Sequence, residues 1–182
     1  MASRYDDELW ELVPEEPGPP PEHLRAFVRS LGRTGRALDL GCGDGRLTAE
    51  LDAAELTAAD VSRVALGRAR RRLPDAQIAE LEPDAPLPFE DGAFELVLCA
   101  ETVEHVRDVQ LLLSEARRVL RPGGSLALTT PARRALMRPP DPLSPHLRFL
   151  TRRSLGGLLD QLGFDVRSLE RRAGTLLARA TR

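Results

Sequence analysis

Two groups of residues in this chain have the types and spacing for chemistry. The first is Ala37-Leu38-Asp39-Leu40-Gly41-Cys42-Gly43-Asp44-Gly45. Glycines at alternate positions let a backbone turn tightly and let a ligand approach where a Cβ would otherwise stand. The spacing is G-x-G-x-G. A dinucleotide fingerprint, G-x-G-x-x-G, needs its last glycine where Arg46 stands, and no Gly-Lys-Ser/Thr follows, so a P-loop is excluded. Alone, the triplet is a tight turn. Asp60 changes the reading, because it ends the next apolar run about 20 residues beyond the loop, where a carboxylate can accept both hydroxyls of a ribose. Loop and acid together point to a bound nucleoside.

The second group is Glu101, Glu104 and His105, with His146 farther along. Positions i, i+3 and i+4 put the first three on one face of a helical turn. Three roles stand open: hydrogen bonding that organises a pocket wall, general-base catalysis by His105, and a divalent metal site with His146 as fourth ligand. Imidazole ordinarily titrates near neutrality, which suits the base. His146 lies in Pro145-His146-Leu147-Arg148-Phe149-Leu150-Thr151 and reads as pocket-lining or as a surface residue. The preceding loop holds Arg133, Arg134, Met137 and Arg138, and is either solvated or a lid that favours an anionic substrate. Cys42 and Cys99 read as small buried packing residues near the ends of neighbouring strands. Arg68, Arg70, Arg71 and Arg72 read as a solvated helix face.

Positioning these groups falls to an alternation of strands and helices. Residues 1–21 hold Pro14, Pro17, Pro19, Pro20 and Pro21, which predicts an extended arm preceding a domain over 22–182. A helix is expected over Glu22 to Leu31. Strands follow at Ala37 to Leu40, Leu56 to Ala59, Gln77 to Ala79, Phe94 to Cys99 and Ser125 to Thr130. Helical stretches are expected at Thr48 to Asp52, from Ser62 as N-cap through Leu73, and at Val109 to Leu120. Another begins at the cap Thr151 and stops at Gly163. Pro122-Gly123-Gly124 reads as a turn, and two closing strands lie near Phe164 to Leu169 and Gly174 to Ala180. The pattern predicts an α/β fold with a mostly parallel sheet, helices on both faces and an antiparallel C-terminal hairpin.

Composition agrees with one domain. The chain has 182 residues, 42% hydrophobic, and 26 basic residues against 28 acidic ones, a net charge of −2. That excludes an overall basic field for nucleic acid. Every basic residue is Arg, with Lys and Asn absent, as coding bias produces. Met1 to Trp10 holds acidic residues and no apolar core of a secretory signal, and apolar runs reach only about five residues, against roughly 20 for a membrane span. A cytoplasmic protein without membrane partners, monomeric or homodimeric, is expected.

Ala37 to Thr48 resembles motif I of the class I S-adenosylmethionine-dependent methyltransferases, and Asp60-Val61-Ser62 their ribose-binding position. Leu87 to Val97, Glu101-Thr102-Val103-Glu104-His105-Val106 and Leu120-Arg121-Pro122-Gly123-Gly124 resemble, in order, later segments of the broad methyltransferase type 11 group. The likeness runs from about Leu38 to Phe164. It implies a Rossmann-like seven-stranded sheet with S-adenosylmethionine across the strand ends and S-adenosylhomocysteine as product. It further implies that Gly41, Gly43 and Gly45 line the methionine part, with Asp39 holding the loop or receiving the amino group through water. Asp60 would bind the ribose, Glu80 and Leu81 would flank adenine, and Cys42, Val61 and Ala100 would complete the contacts. His105, Glu101 and His146 are the catalytic candidates for a small-molecule acceptor. Glu101, Glu104, His105 and His146 also resemble the metal site of O-methyltransferases of RNA 3′-end or quinone type. A scaffold that binds the cofactor without turnover is a third reading; a nicotinamide oxidoreductase is disfavoured by the glycine spacing.

Overall fold

A computed structural model of the chain describes residues 2–132 and 146–182. The expected loop from Arg133 to Pro145, with its lid reading, lies outside them. Seven strands form one sheet in the order β3-β2-β1-β4-β5-β7-β6. They are β1 (Thr34–Leu40), β2 (Ala53–Asp60), β3 (Gln77–Glu80), β4 (Phe94–Ala100), β5 (Leu120–Pro131), β6 (Asp165–Arg172) and β7 (Thr175–Thr181). The first five run parallel; β7 enters antiparallel between β5 and β6. The expected fold class and terminal hairpin are both present.

Period-two side-chain direction lets each central strand feed two cores. Leu38 and Leu40 of β1 and Val97 and Cys99 of β4 meet Leu113, Ala116 and Val119 of α4 (Val109–Val119) and Leu155 and Leu159 of α5 (Arg152–Gln161). On the opposite face Ala37, Leu96 and Leu98 receive Leu24, Phe27 and Val28 of α2 (Glu22–Arg29). Leu66 and Ala69 of α3 (Arg63–Arg72) cover Ala58 of β2. Burial on both faces is why the parallel strands read as near-continuous apolar runs rather than alternating ones. Ser62 caps α3 by accepting from Ala65 N–H, Asp108 caps α4 from Leu111 N–H, and Thr151 and Ser154 form a reciprocal capping box on α5.

Three local expectations need correction. Residues 2–12 are not extended but helical, α1 (Ala2–Leu12), packed on α3; only the stretch from Val13 to Pro21 lacks helix. The proline-based reading spread too far, since no proline precedes Pro14. Thr48–Glu50 is a single 3₁₀ turn rather than a longer helix. Pro122-Gly123-Gly124 does not separate helix from strand but bulges inside β5, which pairs Leu120 with Phe94 and Ser125 with Leu96.

Arginine does structural work that a solvated face does not describe. Arg68 is 8% exposed and donates to the carbonyls of Trp10, Val13 and Pro14, and Arg72 bonds Asp44. Arg118 holds the carbonyls of Leu87 and Phe89 together with Asp91 and Glu115. A rigid guanidinium fork suits such multi-carbonyl contacts better than an ammonium. Both cysteines are free and buried, and burial raises each thiol far above its ordinary pKa.

Candidate functional site

The order β3-β2-β1-β4-β5 places a topological switch between β1 and β4, and ligands of open α/β sheets bind at the carboxyl ends of strands beside such a point. The glycine loop leaves β1 there. Gly41, Gly43 and Gly45 all have positive φ, so the loop takes a path that side-chain-bearing residues resist. Gly43 N–H donates to Asp60 Oδ2 at 2.8 Å, and Ser62 N–H to Asp60 Oδ1 at 3.0 Å. The carboxylate at the end of β2 is therefore stitched to the loop at the end of β1. Cys42 and Leu81 are buried, Val61 is half-buried, and Ala100 ends β4 beside the loop's neighbouring strand. Leu81 N–H donates to the Asp60 carbonyl at 2.9 Å, which brings the end of β3 into the same crevice rim. Glu80 is exposed and its carboxylate is engaged by Arg63 at 2.7 Å, so it stands at the rim in a surface ion pair.

Asp39 lies beneath the loop. It is 2% exposed, Oδ2 accepts from Thr48 Oγ1 at 2.6 Å, and Oδ1 has no hydrogen-bond partner among the described residues. Burial, with the charge of Asp60 nearby, pushes its carboxyl up to about 7. The folded chain therefore holds this proton more tightly than the unfolded chain does, and stability falls as pH rises from about 4 through 7. In the opposite sense, Arg25 and Arg29 on Glu50, and Arg118 on Glu115, hold those carboxyls below their ordinary value, so their contribution fades in acid. Thermal melts should peak near pH 5 and lose about 5 °C by pH 8, on the order of 2 kcal/mol. Asp39→Asn should reduce the slope of the alkaline limb, leaving the part that other raised carboxyls, Asp6 and Glu104 among them, contribute; an unchanged slope would refute Asp39 as a source.

Past β4 the chain turns rather than coils into a helix. Glu101 sits at φ 53° and His105 N–H reaches back to the Thr102 carbonyl at 3.0 Å. A non-glycine residue in the left-handed region costs about 1–2 kcal/mol. This correction separates the expected quartet. Glu101 accepts from Thr129 Oγ1 and Glu104 from Thr130 Oγ1, each at 2.9 Å. The two acids thus hold successive residues of β5. Glu104, His105 and His146 instead come together, their ligand atoms all within 4.8 Å of one another. Arg148 draws the segment in by donating to the carbonyls of Val103, Val106 and Arg107, and Leu147 N–H donates to the Glu104 carbonyl at 2.7 Å. The rings of His105 and His146 meet edge-on with centroids 5.0 Å apart. Glu104 is 1% exposed, and its Oε1 makes no hydrogen bond among the described residues. Burial and the Glu101 charge push its carboxyl up to about 8.

Residues of α1 also reach the crevice, which the sequence reading missed. Asp7 accepts from Ser62 Oγ at 2.7 Å and Val64 N–H at 3.1 Å, and Trp10 lies over Gly43. Burial and the charges of Asp60 and Asp7 push Asp6 up to about 6. The one available signal was the only tryptophan of the chain, in a proline-free stretch.

The family model described as a methyltransferase domain matches residues 38–128. The chain is 34% identical over 149 residues to a probable S-adenosylmethionine-dependent methyltransferase of Mycolicibacterium smegmatis, covering 79% of this chain and 56% of that protein. It is 37% identical over 149 residues to an uncharacterized methyltransferase of Synechocystis, covering 72% and 67%. A solved S-adenosylmethionine-dependent methyltransferase from Aquifex aeolicus superposes with a TM-score of 0.72 at 18% identity, covering 96% of each chain. That last likeness is one of fold. The chain spans just over half the length of the mycobacterial relative.

Proposed function

Since the chain belongs to the class I S-adenosylmethionine-dependent methyltransferases, we propose that it methylates a small-molecule acceptor with S-adenosylmethionine as donor. The carrying observation is the stitch between loop and acid: Gly43 N–H on Asp60, at the carboxyl ends of β1 and β2. The residues fit the cofactor. Asp60 is a buried carboxylate suited to a ribose diol, and Asp39 Oδ1 is a buried acceptor without a hydrogen-bond partner among the described residues, suited to an ammonium or a water. Asp39, Gly41, Cys42, Gly43 and Gly45 would hold the amino-acid part, Asp60 and Val61 the ribose, and Leu81, with Glu80 at the rim and Ala100 opposite, the base. When bound, the cofactor supplies a methyl group already activated by its sulfonium.

The protein's task is then alignment of the acceptor and exclusion of water, which together can supply several kcal/mol. His105 and His146, whose rings meet edge-on, would accept the proton of an O- or N-acceptor. Glu101 contributes from the end of β4, where its strained backbone fixes the carboxylate on Thr129. Titration calorimetry with S-adenosylhomocysteine is expected to give saturable heat and NAD none. Absence of heat for both S-adenosylmethionine and S-adenosylhomocysteine, in the wild type and in variants with α1 loosened from α3, would overturn the reading. Binding with no turnover over a broad acceptor panel would leave a scaffold.

One observation favours a second reading, metal-dependent O-methylation. Glu104 presents an unbonded buried oxygen to two imidazoles, a donor set that suits a divalent transition metal. Bound there, a metal would act as a Lewis acid on an acceptor oxygen. Chelator should then abolish transfer and added divalent ion restore it, and Co(II) should give a visible absorption band that Glu104→Gln removes. Indifference to chelator removes this reading and leaves the first intact.

A further inference from the structure

Each glycine of the loop leaves a space that a side chain would fill, and the three spaces face different neighbours. A Cβ at Gly41 would strike Thr102, and one at Gly45 would strike Leu73, both of the sheet-and-helix domain itself. A Cβ at Gly43 would stand 2.7 Å from Cζ2 and 3.0 Å from Cη2 of Trp10. The gap through which a ligand would approach the middle of the loop is thus filled by an indole from α1.

Contacts on either side make the same point. Ser62 and the first turn of α3, beside the ribose carboxylate, are taken by Asp7. The charges of Asp60 and Asp7 act against ionised Asp6, and that of Arg107 acts for it. Ionised carboxylates repel, whereas a diol donating to Asp60 would be favourable. The same acid is therefore a poor seat for α1 and a good one for a ribose.

The attachment of α1 is reversible in form. No strand pairing holds it. Arg68 grips the carbonyls of Trp10, Val13 and Pro14 at 2.9–3.1 Å, and Arg46 takes that of Gly18 at 2.8 Å. Beyond these contacts residues 13–21 carry no helix and join α1 to α2. The helix can therefore swing away on this connection without breaking the sheet.

We infer that α1 is an intramolecular plug of the cofactor site, with Trp10 against Gly43 and Asp7 on Ser62, and that S-adenosylmethionine must displace it to bind. This rests on the cofactor reading above and adds to it a built-in competitor. When the open form is a minor fraction of the chain, apparent affinity is reduced by that fraction.

Trp10 is the only tryptophan, so intrinsic fluorescence of the full chain reports on the plug directly. As S-adenosylhomocysteine saturates the protein, Trp10 emission is expected to move to longer wavelength and acrylamide quenching to rise. Asp7→Ala and Arg68→Ala, which loosen the middle of the helix and its C-terminal end, should each tighten S-adenosylhomocysteine about tenfold by calorimetry. Both should also shift Trp10 emission before any ligand is added. Weakened or unchanged affinity in both variants would overturn the plug, as would a Trp10 that stays protected at saturation. Those results leave the cofactor reading standing. No heat in the wild type and in both loosened variants would instead defeat the cofactor reading, and the plug with it.

Discussion

Asp60→Ala is expected to lower S-adenosylhomocysteine affinity more than 100-fold and to destabilise the chain by about 2–4 kcal/mol. Two costs combine. The carboxylate proposed to accept the ribose hydroxyls is gone, and two N–H groups, on Gly43 and Ser62, lose their acceptor. Each buried donor left unsatisfied costs about 1–3 kcal/mol. Loss of the loop's own scaffold would by itself weaken binding, so Asp60→Asn separates the contributions. Asparagine retains one acceptor oxygen and should recover part of the melting temperature. It should recover little affinity, because its amide cannot accept from two hydroxyls as a carboxylate does. The plug sharpens this expectation. Without the Asp60 charge, Asp6 and Asp39 lose a repulsive neighbour, α1 seats more tightly, and apparent affinity drops further. Calorimetry on both variants, with melts alongside, checks the result. Wild-type affinity in Asp60→Ala would refute the role of this acid and the functional reading built on it.

What could be read in advance divides along the range of the interactions involved. The glycine triplet, Asp60 and the caps Ser62 and Thr151 act over a few residues, and each stands where its local chemistry put it. The parallel core strands were legible because burial on both faces leaves little but Leu, Val, Ala and Cys between turn residues. Failures came where distant parts of the chain decide. Glu101, Glu104 and His105 have helical spacing, yet the two acids bond Thr129 and Thr130 of distant β5, and Glu101 sits at φ 53° rather than in a helix. Arg68 looked solvated beside its charged neighbours until the carbonyls of residues 10–14 covered it. The glycines of the bulge in β5 carry the same turn signal that a loop would, and only pairing with β4 distinguishes the two. His146 approaches His105 because Arg148 bonds three carbonyls of the preceding turn, a contact that no spacing rule announces.

Gly41→Ala is expected to destabilise the chain by about 3–4 kcal/mol and to abolish cofactor binding, through a coupling that a second substitution can isolate. Two penalties act at this residue. Its φ of 81° is strained for any side-chain-bearing residue, about 1–2 kcal/mol. A Cβ would also sit 2.4 Å from Thr102 Cγ2 and 2.5 Å from its Oγ1. Thr102 cannot simply turn aside, because its one hydroxyl proton is shared between the carbonyls of Leu40 and Ala100, at 3.2 and 3.0 Å, and so ties the end of β1 to the end of β4. Displacing it breaks the strap across the switch point where the crevice opens. Thr102→Ala alone removes the strap and should cost about 1 kcal/mol. In the double variant Gly41→Ala/Thr102→Ala the two closest contacts are gone and only the Cβ of residue 102, at 3.0 Å, stays tight, while the φ strain remains, so its cost should be smaller than the sum of the two by about 1–2 kcal/mol. Denaturant unfolding of the four proteins of the cycle measures that difference. Additive costs would mean that the bend after Leu40 is held by backbone conformation alone, and that Thr102 contributes nothing to the shape of the loop.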